Sequence, residues 1–177
     1  MALTTAQILN TESDEDLLRL LQGELNALFP PESRRDNVVF LSRLQSAPVG
    51  LRARAATFEL DVSMALDDLA FHFVNHPDLD LYGETRSGLR ELGATEAAEI
   101  FESAFAVIEP HWERLGEVGE NEEFGFVNTW LEQKGIQDRI APLNKRMWEL
   151  IDRWPKHGLM QYWITYAREN PARCFDT

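Results

Sequence analysis

Large apolar residues recur along this chain at intervals of three and four, the rhythm of an α-helix that turns one face to a core. Leu17, Leu18, Leu21, Leu25 and Leu28 form the first such stripe. Ser13 can cap its helix, and Asp14, Glu15 and Asp16 fall in the first turn, where negative charge complements the helix dipole. The spacing predicts a helix over 13–29, ended by Pro30 and Pro31. A second helix is expected from Ser33, carrying Val38, Val39, Leu41 and Leu44 and stopping before Pro48. Residues 1–48 therefore read as an N-terminal helical hairpin.

The longest stripe is Phe58, Val62, Leu66, Leu69, Phe73 and His76, which predicts one continuous helix over about 50–76 with Asp67 on its outer side. Pro77 disfavours helical backbone at His76 and closes it. Residues 78–82 read as a loop, and a short helix with Leu89 and Leu92 ends at Gly93, a natural C′ glycine. Thr95 caps a helix whose apolar face is Ala97, Ala98, Phe101, Phe105 and Ile108; Pro110 ends it. Residues 111–123 are acidic and interrupted by Gly116 and Gly119, the pattern of a surface loop. Phe124, Val127, Trp130 and Leu131 mark a helix ending near Gly135. Leu143, Met147, Leu150, Ile151 and Trp154 mark another, with Pro142 in its first turn. A last helix over about 156–170 buries Met160, Trp163, Ile164 and Ala167. No strand-like alternation exceeds four residues and no repeat is present. The expected fold is all-α: one compact multi-helix domain over 1–177, with the hairpin at 1–48 and a helical core at 49–177.

Composition sharpens this in two ways. Hydrophobic residues make up 44% of 177 positions, enough for a sizeable core, yet no apolar run approaches the roughly 18 residues that span a bilayer. The first residues lack the basic flank of a signal peptide, and Cys174, the only cysteine, rules out an intrachain disulfide, so the expected compartment is the cytoplasm. The charge is uneven. Residues 59–123 hold 17 acids against 3 bases, while 1–58 and 124–177 are close to neutral. Such a field repels nucleic acid and anionic membranes and attracts a basic partner. The plain alternative is that these acids only keep the chain soluble.

Few constellations carry chemistry. Asp68, His72 and His76 fall along one side of a helix, the best arrangement here for a divalent metal. The Glu of the His-Glu-x-x-His signature is missing, as is any Glu-x-x-His pair. The plain reading makes His76 part of the core stripe and gives Asp68 a hydrogen bond to His72. No Gly-x-Ser-x-Gly elbow and no phosphate-binding glycine loop occurs, and a terminal cysteine is a poor nucleophile. No cofactor is implied. The five tryptophans, Trp112, Trp130, Trp148, Trp154 and Trp163, read as core, since the acidic field opposes base stacking.

The segment Gly88–Ile108 (GLRELGATEAAEIFESAFAVI) resembles a motif of the bacterial DNA-mimic-protein family. Leu92, Gly93 and Ala94 match its Leu/Ile-Gly-Ala step, and Ala97, Ala98, Ile100 and Ala104 match the Ala-rich helix that follows. Phe71, Phe73 and Asn75 resemble the aromatic segment before it, and Tyr162–Pro171 resembles the closing helix. The resemblance covers about residues 58–109 and 155–171. It departs at Asp67, Asp68, Leu69 and Ala70, where the family usually has a Gly-Gly pair, which suggests plain helix there; the hairpin is unmatched. It implies a helical domain of largely unassigned function. For the members that give the family its name, it implies acids at phosphate-like positions that occupy a DNA-binding protein's site.

The preferred function is thus a non-enzymatic, acidic helical module that binds a basic protein surface, with imitation of DNA as the form the resemblance implies. Its expected contact residues are Asp67, Asp78, Asp80, Glu84, Glu91, Glu120, Glu122 and Glu123. The alternatives are a small metal-binding protein or enzyme centred on Asp68, His72 and His76, and a structural or toxin-neutralising partner.

Overall fold

The computed structural model describes residues 3–34, 36–121, 123 and 125–174. Among them the chain forms α-helices and short 3-10 turns and no strand, so the fold is all-α and multi-helix as the apolar spacing predicts. The N-terminal part holds α1 (Thr5–Asn10), α2 (Asp14–Leu28) and α3 (Asn37–Ser46). The middle holds α4 (Val49–Leu66), α5 (Leu69–Asn75), α6 (Leu79–Glu91), α7 (Thr95–Ile108) and α8 (Trp112–Gly119). The last part holds α9 (Phe126–Gln133), α10 (Ile136–Ile151) and α11 (Met160–Glu169). Among the described residues no helix is long and apolar enough to cross a membrane.

Caps explain most of the boundaries. The Ser13 hydroxyl accepts from the Asp16 amide and starts α2 as expected. Asp36, not Ser33, starts α3, taking the amides of Val38 and Val39. Ser33 sits instead in a 3-10 turn and donates to the Pro30 carbonyl. Thr4 and Gln7 form a capping box that adds α1, a helix the apolar pattern does not reveal. Asp78 accepts from the amides of Asp80 and Leu81, so α6 begins where a loop is expected.

The expected long helix over 50–76 is two helices. Asp67 (φ −146°, ψ −126°) and Asp68 (φ −150°, ψ −177°) are extended, so the backbone at the family's Gly-Gly position is not plain helix. The Asp68 carboxylate accepts from the Phe71 amide at 3.0 Å and from Asn144 Nδ2 at 3.0 Å, while Asn144 Oδ1 accepts from the Leu69 amide at 3.1 Å. A side chain of α10 thereby satisfies the backbone freed by the break. The break also turns the stripe: Leu66 is exposed whereas Leu69 and Phe73 are buried.

Further differences have similar local causes. Residues 112–119 are helix, not loop, because Leu115 and Val118 are buried and Gly119 lets α8 touch α5. A Cβ at Gly119 would stand 2.8 Å from the Val74 carbonyl oxygen. Helix α10 starts at Ile136, so Pro142 lies inside it rather than in its first turn, on the exposed side. The last helix begins only at Met160, after turns that include Gly158 at φ 53°. Phe124 lies outside the described residues.

Two apolar clusters meet along α4. One gathers Leu60, Phe73, Phe101, Ile108, Ile140 and Met147; the other gathers Leu17, Leu25, Phe40, Leu44, Leu51 and Trp163. Most of the N-terminal half of α4 is buried, Val49 and Arg52 excepted, and α6 lies against it at Gly88, where a Cβ would stand 2.7 Å from the Ala53 carbonyl oxygen. Thr85 of α6 donates to the Ala56 carbonyl at 2.8 Å across the same contact.

Candidate functional site

The acidic third of the sequence is folded so that several helix ends share one region. The C-terminal end of α5 abuts the end of α8 through Val74 and Gly119. Helix α6 starts just after α5, and its Tyr82 ring stacks on Phe105 of α7 at 3.8 Å between centroids. Phe105 in turn meets Trp112, the first residue of α8, at 5.3 Å. Asp78 and Asp80 stand at the start of α6, Glu109 and Glu113 at the α7–α8 corner, and Glu120 and Glu123 just past α8. Burial pushes the Tyr82 phenol above its ordinary pKa; Arg86 opposes the shift and the Glu102 and Glu109 carboxylates reinforce it, so the ring lies within the field of this end.

Ion pairs divide the acids into two populations. All three bases of residues 59–123 are engaged: Arg86 and Arg90 with Glu102, and Arg114 with Glu117 at 3.2 Å. Arginines from the flanks reach in to others. Arg52 holds Glu84 through two hydrogen bonds, Arg54 holds Asp61 at 2.9 Å, and Arg153 holds Glu96 at 2.8 Å. Glu91 accepts from the Tyr166 hydroxyl at 2.6 Å and pairs with Arg173 at 2.9 Å. Asp67, Asp80, Glu99, Glu109, Glu113, Glu120 and Glu123 are exposed and have no ion-pair partner among the described residues.

Of the acids named from the sequence, Asp80, Glu120 and Glu123 thus lie unpaired at this end. Asp78 lies there too, with its carboxylate turned to capping α6 and accepting from Asn37 Nδ2 at 3.1 Å. Glu84 and Glu91 are farther along α6, each neutralised by an arginine. Asp67 sits at the α4–α5 break, the other end of α5 and about 10 Å of helix away. Glu122 lies outside the described residues. Glu109 and Glu113 belong to the region without having been singled out; charge counting shows the acidic third but not which of its acids keep an arginine.

The two histidines exchange the roles the stripe assigns them. His72 is the buried one, between Phe73 and Phe101, and His76 is only partly covered. His72 Nδ1 lies 3.0 Å from the Ser63 hydroxyl, which also lies 2.8 Å from the Glu59 carbonyl. Burial, then the nearby His76, pushes the His72 pKa down to about 3. Asp68 does not hydrogen-bond His72; it is spent on Phe71 and Asn144. No three His, Cys, Asp or Glu side chains converge as a metal site among the described residues. Trp163 is buried as expected, but Trp148 is 41% exposed and donates its indole N–H to the Met64 carbonyl. Cys174 is fully buried, with its thiol pushed up to about 12 by burial, so it is shielded rather than exposed as a chain end.

The fold places the chain in the class of all-α, multi-helix proteins. Within that class the chain belongs to the DMP19-like protein family, whose model matches residues 47–170. The match runs from the start of α4 to the end of α11 and leaves out α1–α3. No curated protein and no solved structure matches the chain.

Proposed function

We propose that this protein is a non-enzymatic acidic module that binds a basic protein surface, that of a DNA-binding protein in particular, through the end formed by α6, α7 and α8. The observation that carries the proposal is the division of ion pairs. The chain neutralises Glu84, Glu91, Glu96 and Glu102 with its own arginines and, among the described residues, leaves Asp80, Glu109, Glu113, Glu120 and Glu123 without ion-pair partners. Glu120 stands at the C-terminal end of α8, where the helix dipole disfavours negative charge, whereas Asp80 and Glu113 lie in first turns that the dipole favours. Carboxylates held on short, packed helices present fixed charge, as phosphates do on a duplex. Membership in the DMP19-like family points the same way.

The test is capture from a native lysate on immobilised wild type and on the Asp80→Lys/Glu120→Lys/Glu123→Lys variant. Basic proteins should be held by the wild type, lost from the variant, and released as salt rises. Equal capture by both forms, or capture indifferent to salt, would remove the proposal.

A further inference from the structure

Among the described residues, two buried side-chain nitrogens have no hydrogen-bond partner, and both belong to one contact: Nε of Arg54 on α4 and Nε1 of Trp163 on α11. Arg54 is 3% exposed and Trp163 is fully buried. The guanidinium carbon of Arg54 lies 5.8 Å from the Trp163 ring centroid and 5.6 Å from that of Phe58. Its Nη2 donates to Asp61 Oδ2 at 2.9 Å, so the charge of Arg54 is met while its Nε–H is not. Folded proteins pair about 90% or more of their buried polar groups, because an unmet N–H has given up water and gained nothing in return. Two unmet donors at one contact point to one shared acceptor rather than to two separate defects.

We propose that this contact is a binding site for one buried water molecule, which accepts from Arg54 Nε and Trp163 Nε1 together and so ties α11 to α4. An oxygen that accepts at about 2.9 Å from each nitrogen bridges donors up to about 6 Å apart, the scale of the guanidinium–indole contact. The chemistry selects the ligand. Asp61 already balances the Arg54 charge, so an anion would be buried without a countercharge of its own. Two N–H groups on and beside a guanidinium refuse a cation. A small neutral acceptor remains, and it must find acceptors for its own hydrogens; buried waters typically make about three hydrogen bonds. Asp61, with 19% of its side chain exposed, is the polar neighbour that takes one of them. Trp163 packs in the same apolar cluster as Leu17 and Leu21 of α2. A fixed link between α4 and α11 therefore also steadies the floor on which the N-terminal helices rest.

The probe is water itself, read by NMR on the nitrogen-15-labelled full chain. Trp163→Phe removes the Nε1–H signal and Arg54→Lys removes the Nε–H signal, which assigns the two protons. Where a variant does not fold, contacts to the Phe58 ring assign them in the wild type. Cross-relaxation with the water resonance should reach both protons, with the sign of a water that tumbles with the protein. Exchanging chloride for bromide, or removing both, should leave the two signals where they are. No water contact at either proton would overturn the site, and contact at one proton alone would overturn the shared ligand. A shift of both signals with the halide would make the ligand an anion and overturn the choice of water. The result is independent of the acidic-module reading, since Arg54 and Trp163 belong to α4 and α11 and not to the α6–α8 end.

Discussion

His72 is 3% exposed, packed edge-on against Phe73 and Phe101, and stays neutral in the folded protein because burial holds its pKa near 3. In the unfolded chain it titrates at the ordinary value of 6.5. Between those values the unfolded state binds a proton that the folded state does not. Stability therefore falls as pH drops through 6.5 toward 3, with no contribution from this group above 6.5, and the slope approaches about 1.4 kcal/mol per pH unit. His72→Asn keeps a hydrogen-bonding group beside Ser63 but cannot titrate. Denaturation midpoints measured from pH 7 to pH 5 should decline less steeply in the variant; equal slopes would contradict the assignment. Asn144 is a second buried polar side chain with a defined task, since it satisfies both Leu69 and Asp68. Asn144→Leu should cost about 1–3 kcal/mol by stranding buried partners, as read from urea unfolding. The stripe put His76 in the core, the reverse of what the fold does, because the Asp67–Asp68 break turns α5 relative to α4. That break depends on Asn144, which is far away in the chain.

At the scale of elements, legibility followed the caps. Ser13 and Pro30 gave α2 its limits from sequence alone, whereas Asp68 and Asp78 cap their helices in the acidic third, where acids read simply as charge, and Asp36 caps α3 where Ser33 was expected to start it. Helix α8 was hidden because Gly116 and Gly119 look like loop residues. Gly119 is there to admit the Val74 carbonyl, a contact that no spacing rule contains. The α4–α6 contact depends in the same way on Gly88. Gly88→Ala would bring a Cβ to 2.7 Å from the Ala53 carbonyl oxygen and 3.2 Å from its Cα. The expected cost is about 1–3 kcal/mol, the range for overpacking. Gly23→Ala, on an exposed face of α2 with nothing within 4 Å, should instead stabilise by about 0.5–1 kcal/mol. Urea midpoints for the two variants should move in opposite directions; movement in the same direction would contradict the role given to Gly88.

Across the whole molecule, the all-α architecture and the acidic third were readable from apolar spacing and charge counts. The distribution of that charge was not. It depends on Arg52, Arg153 and Arg173, which fold back from the nearly neutral flanks to neutralise Glu84, Glu96 and Glu91. The two apolar clusters share α4, so we expect residues 1–48 and 49–177 to unfold as one domain, with tryptophan fluorescence and helical circular dichroism giving coincident transitions. Separate transitions would divide the chain at α3. The central claim is that the unpaired carboxylates at the α6–α8 end take the place of DNA on a basic protein. The most direct measurement loads native DNA-binding proteins onto duplex DNA resin and adds the purified chain at low salt. The account predicts that wild type releases a discrete set of bound proteins and that Asp80→Lys/Glu120→Lys/Glu123→Lys, equally folded, does not. No release by the wild type, or the same release by both, would contradict it.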